Sequence, residues 1–305
     1  MWRYIVKRII QAGFALFAIS FIVFILTHLS GDPALLIASP WATLEDIEKI
    51  RVQLGLDQPI YIQYWRFISG AIQGNLGESI KFGRPNIELW LDLFPNTLLV
   101  AGLAFIFATG VGILVGTMSA IKPGSWFDNL GKVFAFMGVS LPSFWVGLML
   151  ILLFSVGLGW LPVMGMESWR HLILPTFTLG WFAIAGQLRL TRSAMLDVLD
   201  SEYIKMARIK GVPEYLVIGK HALRNALIPI VTVGALNFVG LLTGTVIVET
   251  IFNWRGVGWL AVQAIYARDY PLVQTCVMLG SSLLIFMNLL VDILYAYIDP
   301  RIRYR

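Results

Sequence analysis

Hydrophobic residues fall in six long runs along the chain, separated by polar stretches. Each run holds about twenty residues or more, which at 1.5 Å of rise per helical residue matches a hydrocarbon layer of roughly 30 Å. A helix satisfies its backbone hydrogen bonds internally, so a bundle of spanning helices is the predicted architecture. The six predicted spans are Ile9–Leu29, Thr97–Ile121, Val133–Leu158, Leu172–Leu190, Leu227–Phe252 and Leu272–Ile298.

The composition supports this pattern. With 58% hydrophobic residues, 13% charged residues and a mean hydropathy of +0.76, the 305 residues carry more apolar surface than a soluble core could bury. We therefore predict an all-α membrane protein with six transmembrane helices. The single cysteine, Cys276, lies inside the last apolar run, so no disulfide can form within the chain and a packing role is expected.

Basic residues indicate how the spans are oriented. With six spans, both termini share a side with the second and fourth connections. The basic residues predicted on that side are Arg3, Lys7, Arg8, Lys122, Lys132, Arg189, Arg192, Lys205, Arg208, Lys210, Lys220, Arg224, Arg301, Arg303 and Arg305. The positive-inside rule therefore predicts both termini in the cytoplasm. The first run is too long for a signal peptide and no small-residue cleavage site follows it closely, so we expect a retained span.

The first extracytoplasmic connection, residues 31–95, is long enough to fold on itself. Thr43 and Asp46 form a variant of the capping box, and helical spacing of apolar residues continues until Gly55. A second helix is predicted to begin at Pro59 and to end at a glycine-rich turn. Two interpretations fit: amphipathic helices on the outer rim of the membrane, or a platform for an external partner. The predicted apolar positions are Leu44, Ile47, Ile50, Leu54, Ile60, Tyr64, Phe67, Ile68 and Ala71.

Small residues and prolines are the informative features inside the spans. Gly112 and Gly116 have the spacing that permits close approach of two helices, which fits either a dimer seam or packing within the chain. Pro142 and Pro175 are predicted to interrupt the third and fourth spans, because proline removes a backbone donor. Such kinks are either static or part of a moving gate.

Polar side chains within the apolar runs are candidates for substrate contact, because burying them in a membrane is costly. Glu249 and Asp292 lie near the ends of their spans, so we expect them to reach water or to pair with another group. The polar residues in or near the spans are Gln187, Asn237, Glu249, Asn288 and Asp292.

A polar, basic segment from Glu202 to Pro229 separates the fourth run from the fifth. A charge at the bilayer centre costs about 2.5 to 3.5 kcal/mol, so a segment with this many charges is predicted to lie in water. Tyr203, Met206 and Ile209 are interleaved with the charges, which favours a short helix that presents a mixed surface to a partner. The charged residues are Glu202, Lys205, Arg208, Lys210, Glu214, Lys220 and Arg224.

The sequence lacks the motifs of catalysis and of nucleotide binding. It contains no HExxH motif, nucleophile elbow or cluster of cysteine and histidine. It also contains no phosphate loop, because Gly131-Lys132 is preceded at the required spacing by Trp126. We therefore expect a non-enzymatic chain that binds no metal or cofactor, with any ATP bound by another protein.

Several segments together carry a resemblance to a known family. The segments Glu202–Gly211 (EYIKMARIKG) and His221–Pro229 (HALRNALIP) resemble the EAA-type loop of ABC importer permeases, and more narrowly the dipeptide, oligopeptide and nickel branch. The resemblance covers essentially the whole chain. Further similar segments are Gly31-Asp32-Pro33, Leu54–Pro59, Gly74–Gly77, Gly159–Pro162, Arg268–Pro271, Asn288–Arg303 and the ending Ile302-Arg303-Tyr304.

The resemblance implies a type I ABC importer permease fold in a bacterial inner membrane. It implies a first helix at residues 1–30, a helical extracytoplasmic insertion at residues 31–95 and a five-helix core at residues 96–305, with a cytoplasmic coupling loop at residues 193–228. The implied partners are a second homologous permease forming a heterodimer, two cytoplasmic ABC ATPases that use ATP and Mg, an extracytoplasmic solute-binding protein and membrane lipid. No nucleic acid is implied.

In such importers the loop forms a coupling helix that sits in a cleft of the ATPase. Gly211 is expected to end this helix in a left-handed conformation. Tyr203 replaces an alanine of the general motif and Pro229 falls later than in its consensus, as expected for the peptide branch. By position, the residues assigned to coupling are Glu202, Tyr203, Lys205, Met206, Ala207, Arg208 and Gly211.

Arg255 replaces a proline that is usual in that branch, and it places a cation near the entrance. It fits either attraction of a substrate carboxylate or a salt bridge within the loop. With this residue, the candidates for the substrate path are Gln187, Asn237, Glu249 and Arg255.

The resemblance implies ATP-driven import of short peptides or glutathione. Nickel chelates and oligosaccharides are alternatives within the family. An ion-coupled secondary carrier is a second class, but it favours buried acidic residues in mid-span and inverted repeats, and the sequence shows neither. A structural or assembly protein of the membrane, such as an insertase, is the third class.

Overall fold

The computed structural model describes residues 2–29, 34, 41 and 43–298, which form helices, turns and one isolated antiparallel bridge between Glu78 and Pro85. The sequence motif Gly31-Asp32-Pro33 and residues 299–305, which include the ending Ile302-Arg303-Tyr304, lie outside the described residues. The helices are α1 (Trp2–Leu29), α2 (Leu44–Leu54), α3 (Ile60–Ile72), α4 (Asn86–Ile121), α5 (Trp126–Ser140), α6 (Ser143–Leu150), α7 (Ile173–Leu199), α8 (Glu202–Ile209), α9 (Arg224–Ile251), α10 (Val257–Tyr266) and α11 (Tyr270–Ile298).

Three shorter helical segments extend these elements. A π-helical segment, Ile151–Gly157, continues α6, and a 3-10 turn at Trp169–Leu172 leads into α7. A single turn at Glu214–Leu216 and a π-helical segment at Val217–Leu223 lead into α9. Helix α10 was not predicted, because its ten residues are too few to stand out as a span.

Five helices among the described residues are long and apolar enough to cross a membrane, and the number is six if the bent pair Trp126–Ser140 and Ser143–Gly157 counts as one span. The predicted interruption of the third span, Val133–Leu158, at Pro142 is confirmed: the helical segments Trp126–Ser140 and Ser143–Gly157 are bent by 109° where Leu141 and Pro142 join them. Pro142 offers no backbone N–H and forces Leu141 into an extended conformation with φ −95° and ψ 128°, so the helix cannot continue.

The prediction that Pro175 interrupts the fourth span, in contrast, is wrong. Pro175 lies in the first turn of α7, where a backbone N–H has no partner within the helix, so proline is accommodated there. Helix α7 continues to Leu199, beyond the predicted end of the apolar span at Leu190. The charged residues Arg189 and Arg192 end the apolar run but not the helix.

The chain divides into two compact units, residues 1–95 with 256–289 and residues 96–255 with 290–305. In the first unit, α3 packs against α1 through aromatic side chains. Tyr64 contacts Phe21 and Phe24 edge to face, with ring centroids 5.4 and 5.3 Å apart, and Phe67 stacks on Phe24 at 5.9 Å. The predicted apolar positions Tyr64 and Phe67 therefore pack against α1, which is the first span.

Local capping signals in the insertion are confirmed. Thr43 accepts a hydrogen bond from the backbone N–H of Asp46, the Asp46 carboxylate accepts one from the N–H of Thr43, and Gly55 ends α2 in a left-handed conformation. Two of the predicted apolar positions are wrong, because Leu44 and Ile60 lie at the starts of their helices and are 86% and 52% exposed. Helix α3 begins after Pro59, as predicted.

Buried Asp269 holds the exit of the insertion in the first unit. Its carboxylate accepts hydrogen bonds from the Ser79 hydroxyl at 2.5 Å and the Lys81 backbone N–H at 3.0 Å, and it also caps α11 at the N–H of Leu272. Cys276 is buried beside Leu272 in the apolar core of this unit, which agrees with a packing role.

In the second unit, α7 packs closely against the glycines of α4. A Cβ atom at Gly112 would lie 2.6 Å from the Cβ of Gln187, and one at Gly116 would lie 2.7 Å from the Cβ of Thr191. These glycines therefore serve packing within the chain. Gly138 of α5 makes a similar approach to Ala185, so α7 is contacted at glycines from two sides.

Candidate functional site

Helix α8 is a short helix with defined start and stop signals. Glu202 lies in its first turn, where a negative charge complements the helix dipole. At the other end the N–H of Val212 donates to the carbonyl of Ala207 at 3.2 Å and the N–H of Gly211 donates to that of Arg208 at 3.0 Å. Gly211 has φ +77°, the left-handed conformation that the sequence predicts for it.

One face of α8 is anchored in an apolar cluster of the second unit. Ile204 is fully buried there, and Ala207 packs against the cluster from the next turn. Because the other members come from α4, α7, the π-helical segment and α9, the cluster ties α8 to the cytoplasmic ends of three long helices. Its buried members are Ala120, Met195, Ile204, Val217, Ala222, Ala226 and Ile230.

The opposite face of α8 is apolar and uncovered. Tyr203, Met206 and Ile209 are 46%, 56% and 80% exposed, and their spacing of three residues places them along one side of the helix. Burying a side chain of this size contributes about 1.5 to 3 kcal/mol, so three exposed ones in a polar loop mark a surface suited to a protein partner.

Polar contacts fix the shape of the segment around α8. Arg208 donates to both carboxylate oxygens of Glu214, from Nε at 3.2 Å and from Nη2 at 2.8 Å. These hydrogen bonds hold the pKa of Glu214 below its ordinary value. The Asn225 side chain donates to the Tyr203 hydroxyl at 2.9 Å, and Lys205 contacts Glu202 at 3.0 Å. The ion pairs are solvent-exposed, so their contribution is small.

A buried ion cluster lies at the cytoplasmic ends of α5 and α7. The Asp128 side chain is fully buried and pairs with Arg192, and Lys132 approaches the same carboxylate at 2.8 Å. The backbone N–H of Gly124 donates to it at 2.8 Å, and Ser125 caps α5 through the N–H of Asp128. Sequence reasoning missed this cluster, although the Ser-x-x-Asp pattern after Gly124 is a signal for the cap.

Gln187 and Asn237 are brought together between α7 and α9. Gln187 is almost completely buried; its Nε2 donates to the carbonyl of Ile230 at 3.2 Å, and its Oε1 accepts from Asn237 Nδ2 at 3.4 Å. Gln187 therefore joins two helices rather than lining an open path. Of the other polar residues in the spans, Asn288 donates to a carbonyl one turn earlier on its own helix, and Asp292 is half-buried.

Of the two expectations for Glu249, contact with water or pairing with another group, the structure has the second. Glu249 is fully buried and its Oε1 accepts a hydrogen bond from the Thr97 hydroxyl at 2.7 Å, because α4 covers this turn of α9. Arg255 lies on the exposed loop after α9, where its backbone carbonyl accepts from Asn96 at 2.8 Å and its N–H donates to the sulfur of Met166. The four candidates for the substrate path thus do not form one site.

Two family models match the chain. The model described as "Binding-protein-dependent transport system inner membrane component" matches residues 112–304, and the N-terminal membrane-component model of the same transport systems matches residues 1–98. Together they account for nearly the whole sequence.

Relatives match over their full length. The chain is 45% identical over 306 residues to the glutathione transport system permease protein GsiC of Escherichia coli O6:H1 (strain CFT073), with complete coverage of both chains. It is 44% identical, with the same coverage, to the protein of that name from Shigella boydii serotype 4 (strain Sb227).

Solved structures support the fold. An inward-facing structure of the MetNI methionine ABC transporter matches with a TM-score of 0.58 and 18% identity, covering 70% of this chain and 97% of that chain. An amino acid ABC transporter with histidines matches with a TM-score of 0.55 and 14% identity, covering 69% and 94%. Both establish the type I permease fold.

Permeases of this family are non-catalytic and work with separate ATPases and solute-binding proteins. Their multiple apolar helices place them in the inner membrane as multi-pass proteins. The chain therefore belongs to the binding-protein-dependent transport system inner membrane components and is a permease subunit of an ABC importer.

Proposed function

We propose that this permease forms half of a pathway for glutathione or closely related short peptides. A second, homologous permease forms the other half. Two cytoplasmic ABC ATPases bind ATP and Mg. The permease itself binds no cofactor and no nucleic acid. The assignment of glutathione as the cargo is supported by the 45% identity to a glutathione transport permease over the full length of both chains.

In this proposal, helix α8 is the contact site for an ATPase. Its uncovered face supplies the apolar contact through Tyr203, Met206 and Ile209, and Glu202 and Lys205 provide charges at its edge. Ala207 and Gly211 support this helix without forming its exposed face. Ala207 packs on the apolar cluster, and Gly211 ends the helix. Arg208 fixes the following turn through Glu214.

The buried side of α8 explains how movement of an ATPase reaches the membrane. Ile204 is packed between Met195 at the end of α7 and Val217 before α9, and all three side chains are fully buried. Since well-packed interiors transmit displacement rather than absorb it, a shift of α8 moves the cytoplasmic ends of α7 and α9 together. Closure of the ATPases on ATP then rocks these helices between inward and outward access.

Reconstituted transport tests this proposal. Proteoliposomes that contain the permease, its homologous partner and the cognate ATPases, with the binding protein on the opposite side, should accumulate radiolabelled glutathione only when ATP and Mg are supplied. Excess unlabelled glutathione should compete, whereas a nickel chelate and a maltooligosaccharide should not.

Two results would overturn different parts of the proposal. Uptake without nucleotide, driven by an ion gradient, contradicts the coupling to an ATPase. ATP-dependent uptake in which the nickel chelate or the oligosaccharide competes and glutathione does not contradicts the assignment of the cargo while leaving the importer intact.

A further inference from the structure

Tyr64 holds α3 against the second half of α1. Its hydroxyl lies 2.9 Å from the hydroxyl of Ser20, which in turn donates to the Phe17 carbonyl at 2.7 Å. The Tyr64 ring also meets the Phe17 ring edge to face, with centroids 6.1 Å apart, in addition to the two phenylalanine contacts described above. Helix α3 therefore packs on residues 17–24 of α1.

This contact lies at membrane depth. The apolar span on α1 covers Ile5–Leu26, and no Asp, Glu, Lys or Arg follows Arg8 in that helix. Ser20 precedes Leu26 by six positions, which at 1.5 Å of rise per residue places it about 9 Å inside the extracytoplasmic end of the span. Helix α3 is thus held at the level of the outer leaflet, although it belongs to the extracytoplasmic insertion.

A second face of α3 carries an uncovered apolar stripe. Its members are Tyr61, Trp65, Ile68 and Ile72, which recur at intervals of four, three and four residues. Tyr61, Trp65 and Ile72 are 71%, 71% and 81% exposed, and Ile68 is half-buried. With 3.6 residues per turn, the stripe is rotated by about 100° from the face that packs on α1.

The side of α3 opposite the stripe is polar and meets the loop after α2. The Gln63 side chain donates to the carbonyls of Leu56 at 3.1 Å and Gln58 at 2.7 Å. Arg66 extends to the end of α2, because a Cβ atom at Gly55 would lie 2.5 Å from its Nη1. One side of α3 is therefore covered by polar loop, another by α1, and the stripe faces away from the loop.

Both ends of α3 are polar. Asp57 shortly before the helix and Gln73 directly after it are exposed. The helix has 13 residues and is about 20 Å long, so crossing the leaflet would leave one of these ends in hydrocarbon. A position along the membrane surface keeps both ends in water.

Lipid is the medium that fits the stripe. Amphipathic helices that lie along a membrane bury their apolar face about 5 to 10 Å into the boundary between headgroups and acyl chains, and tyrosine and tryptophan are enriched at that level. The stripe also continues an apolar surface of α1, since Phe17 and Phe21 beside the contact are themselves exposed. By contrast, α2 carries the exposed ion pairs Lys49–Glu45 and Arg51–Glu48, as expected of a helix in water.

We propose that α3 is an interfacial helix embedded in the outer leaflet, with the stripe Tyr61, Trp65, Ile68 and Ile72 in contact with phospholipid acyl chains, while α2 lies in water. The insertion is thereby anchored in the membrane beside the first span. This role of α3 does not depend on which cargo is imported.

Spin-label accessibility tests the proposal without cargo or ATP. The full transporter with Cys276→Ala is reconstituted in phosphatidylcholine liposomes, and nitroxides at Trp65→Cys and Lys49→Cys are exposed to oxygen, which enters hydrocarbon, or to anionic chromium oxalate, which does not. Because a charge in hydrocarbon is costly, the ratio of oxygen to chromium collisions should be at least about tenfold higher at Trp65 than at Lys49. Phe14→Cys on α1, where the native side chain is 72% exposed, gives the lipid-facing reference.

Two results would overturn the proposal. A ratio at Trp65 equal to that at Lys49 would place the stripe in water. Exclusion of both reagents from Trp65 would show that a protein surface, such as the second permease, covers it. Tyr61→Cys and Ile72→Cys lie on the same stripe and carry the same expectation, so the test does not depend on the insertion of one variant.

Addition of the cognate solute-binding protein separates a lipid contact from a docking platform. With this protein in excess on the extracytoplasmic side, the oxygen collision rate of the label at Trp65 should stay unchanged. A loss of oxygen collisions at Trp65 on addition would assign the stripe to the binding protein and contradict the proposal.

Discussion

Arg192 binds Asp128 through two hydrogen bonds, from Nε to Oδ1 at 2.6 Å and from Nη2 to Oδ2 at 3.0 Å. This pair joins the first turn of α5 to the last third of α7, close in sequence to α8. Lys132 and the backbone N–H of Gly124 complete the partners of the carboxylate. The pair thus holds α5 to α7, which leads to the proposed ATPase contact.

Removal of Arg192 should destabilise the permease. Arg192→Leu leaves the buried Asp128 carboxylate with only Lys132 as a charged partner, and loss of one member of a buried pair costs about 3 to 5 kcal/mol. The thermal midpoint of the detergent-solubilised protein should fall clearly. Arg189→Leu, an exposed change one turn earlier on the same helix, should stay within about 0.5 kcal/mol of wild type. Equal midpoints for the two variants would contradict this account.

Enlarging Gly112 should separate α4 from α7. In Gly112→Ala the new Cβ would lie 2.6 Å from the Cβ of Gln187, which is too close for real atoms, so overpacking should cost about 1 to 3 kcal/mol. Gly110→Ala, two residues away on α4 with no atom within 4 Å, is the matched control and should be neutral or slightly stabilising. Chemical denaturation in detergent compares them; equal stability of both variants would show that the glycine contact is not needed.

Replacing Gly211 should uncouple transport without preventing insertion. A β-branched residue at φ +77° costs about 1 to 2 kcal/mol or more, so Gly211→Val should shift or fray the end of α8. ATP-driven uptake and stimulated ATPase activity should fall together while the protein remains in the membrane fraction. Gly219→Val lies on an exposed helical glycine with free space around it and should retain both activities. Normal coupling in Gly211→Val would argue against the role of α8.

The pair of Arg208 and Glu214 predicts a pH dependence of the segment around α8. Because hydrogen bonds from Arg208 lower the pKa of Glu214, the stabilisation is complete above the ordinary value of 4.5 and is lost as pH falls through the lowered pKa. A spin label at Met206→Cys, in a Cys276→Ala background, should keep its mobility from pH 8 to about pH 5 and become more mobile in stronger acid.

Glu214→Gln provides the control for this measurement. It removes the titrating group, so the acid-induced increase in mobility should disappear and the label should be mobile throughout. A mobility transition between pH 6 and 7 in the wild-type background would show that another group governs the segment.

Local signals in the sequence predict local structure well here. The cap at Thr43 and Asp46, the start of α3 at Pro59 and the left-handed stop at Gly211 each depend on a few neighbouring residues, and the structure has all of them. The break at Pro142 was predicted only as a kink, because its size of 109° depends on how α6 packs against α7 and α9.

Features that depend on residues far apart in sequence could not be predicted. Glu249 is buried because Thr97, about 150 positions earlier, lies against it, and Asp128 is buried because Arg192 reaches it from another helix. Neither pairing has a periodic pattern in the sequence. The α8 segment was assigned its role through its resemblance to a family, while the buried contacts of Ile204 that tie it to the bundle appear only in three dimensions.

Site-directed cross-linking between α8 and the ATPase tests the central claim most directly. In the assembled transporter with Cys276→Ala, Met206→Cys should form a cross-link to the cognate ATPase with a short bifunctional thiol reagent, and the yield should change between nucleotide-free and ATP-bound states. Lys122→Cys, on the exposed connection between α4 and α5, should give a much lower yield. Efficient cross-linking from Lys122 with none from Met206 would contradict the account.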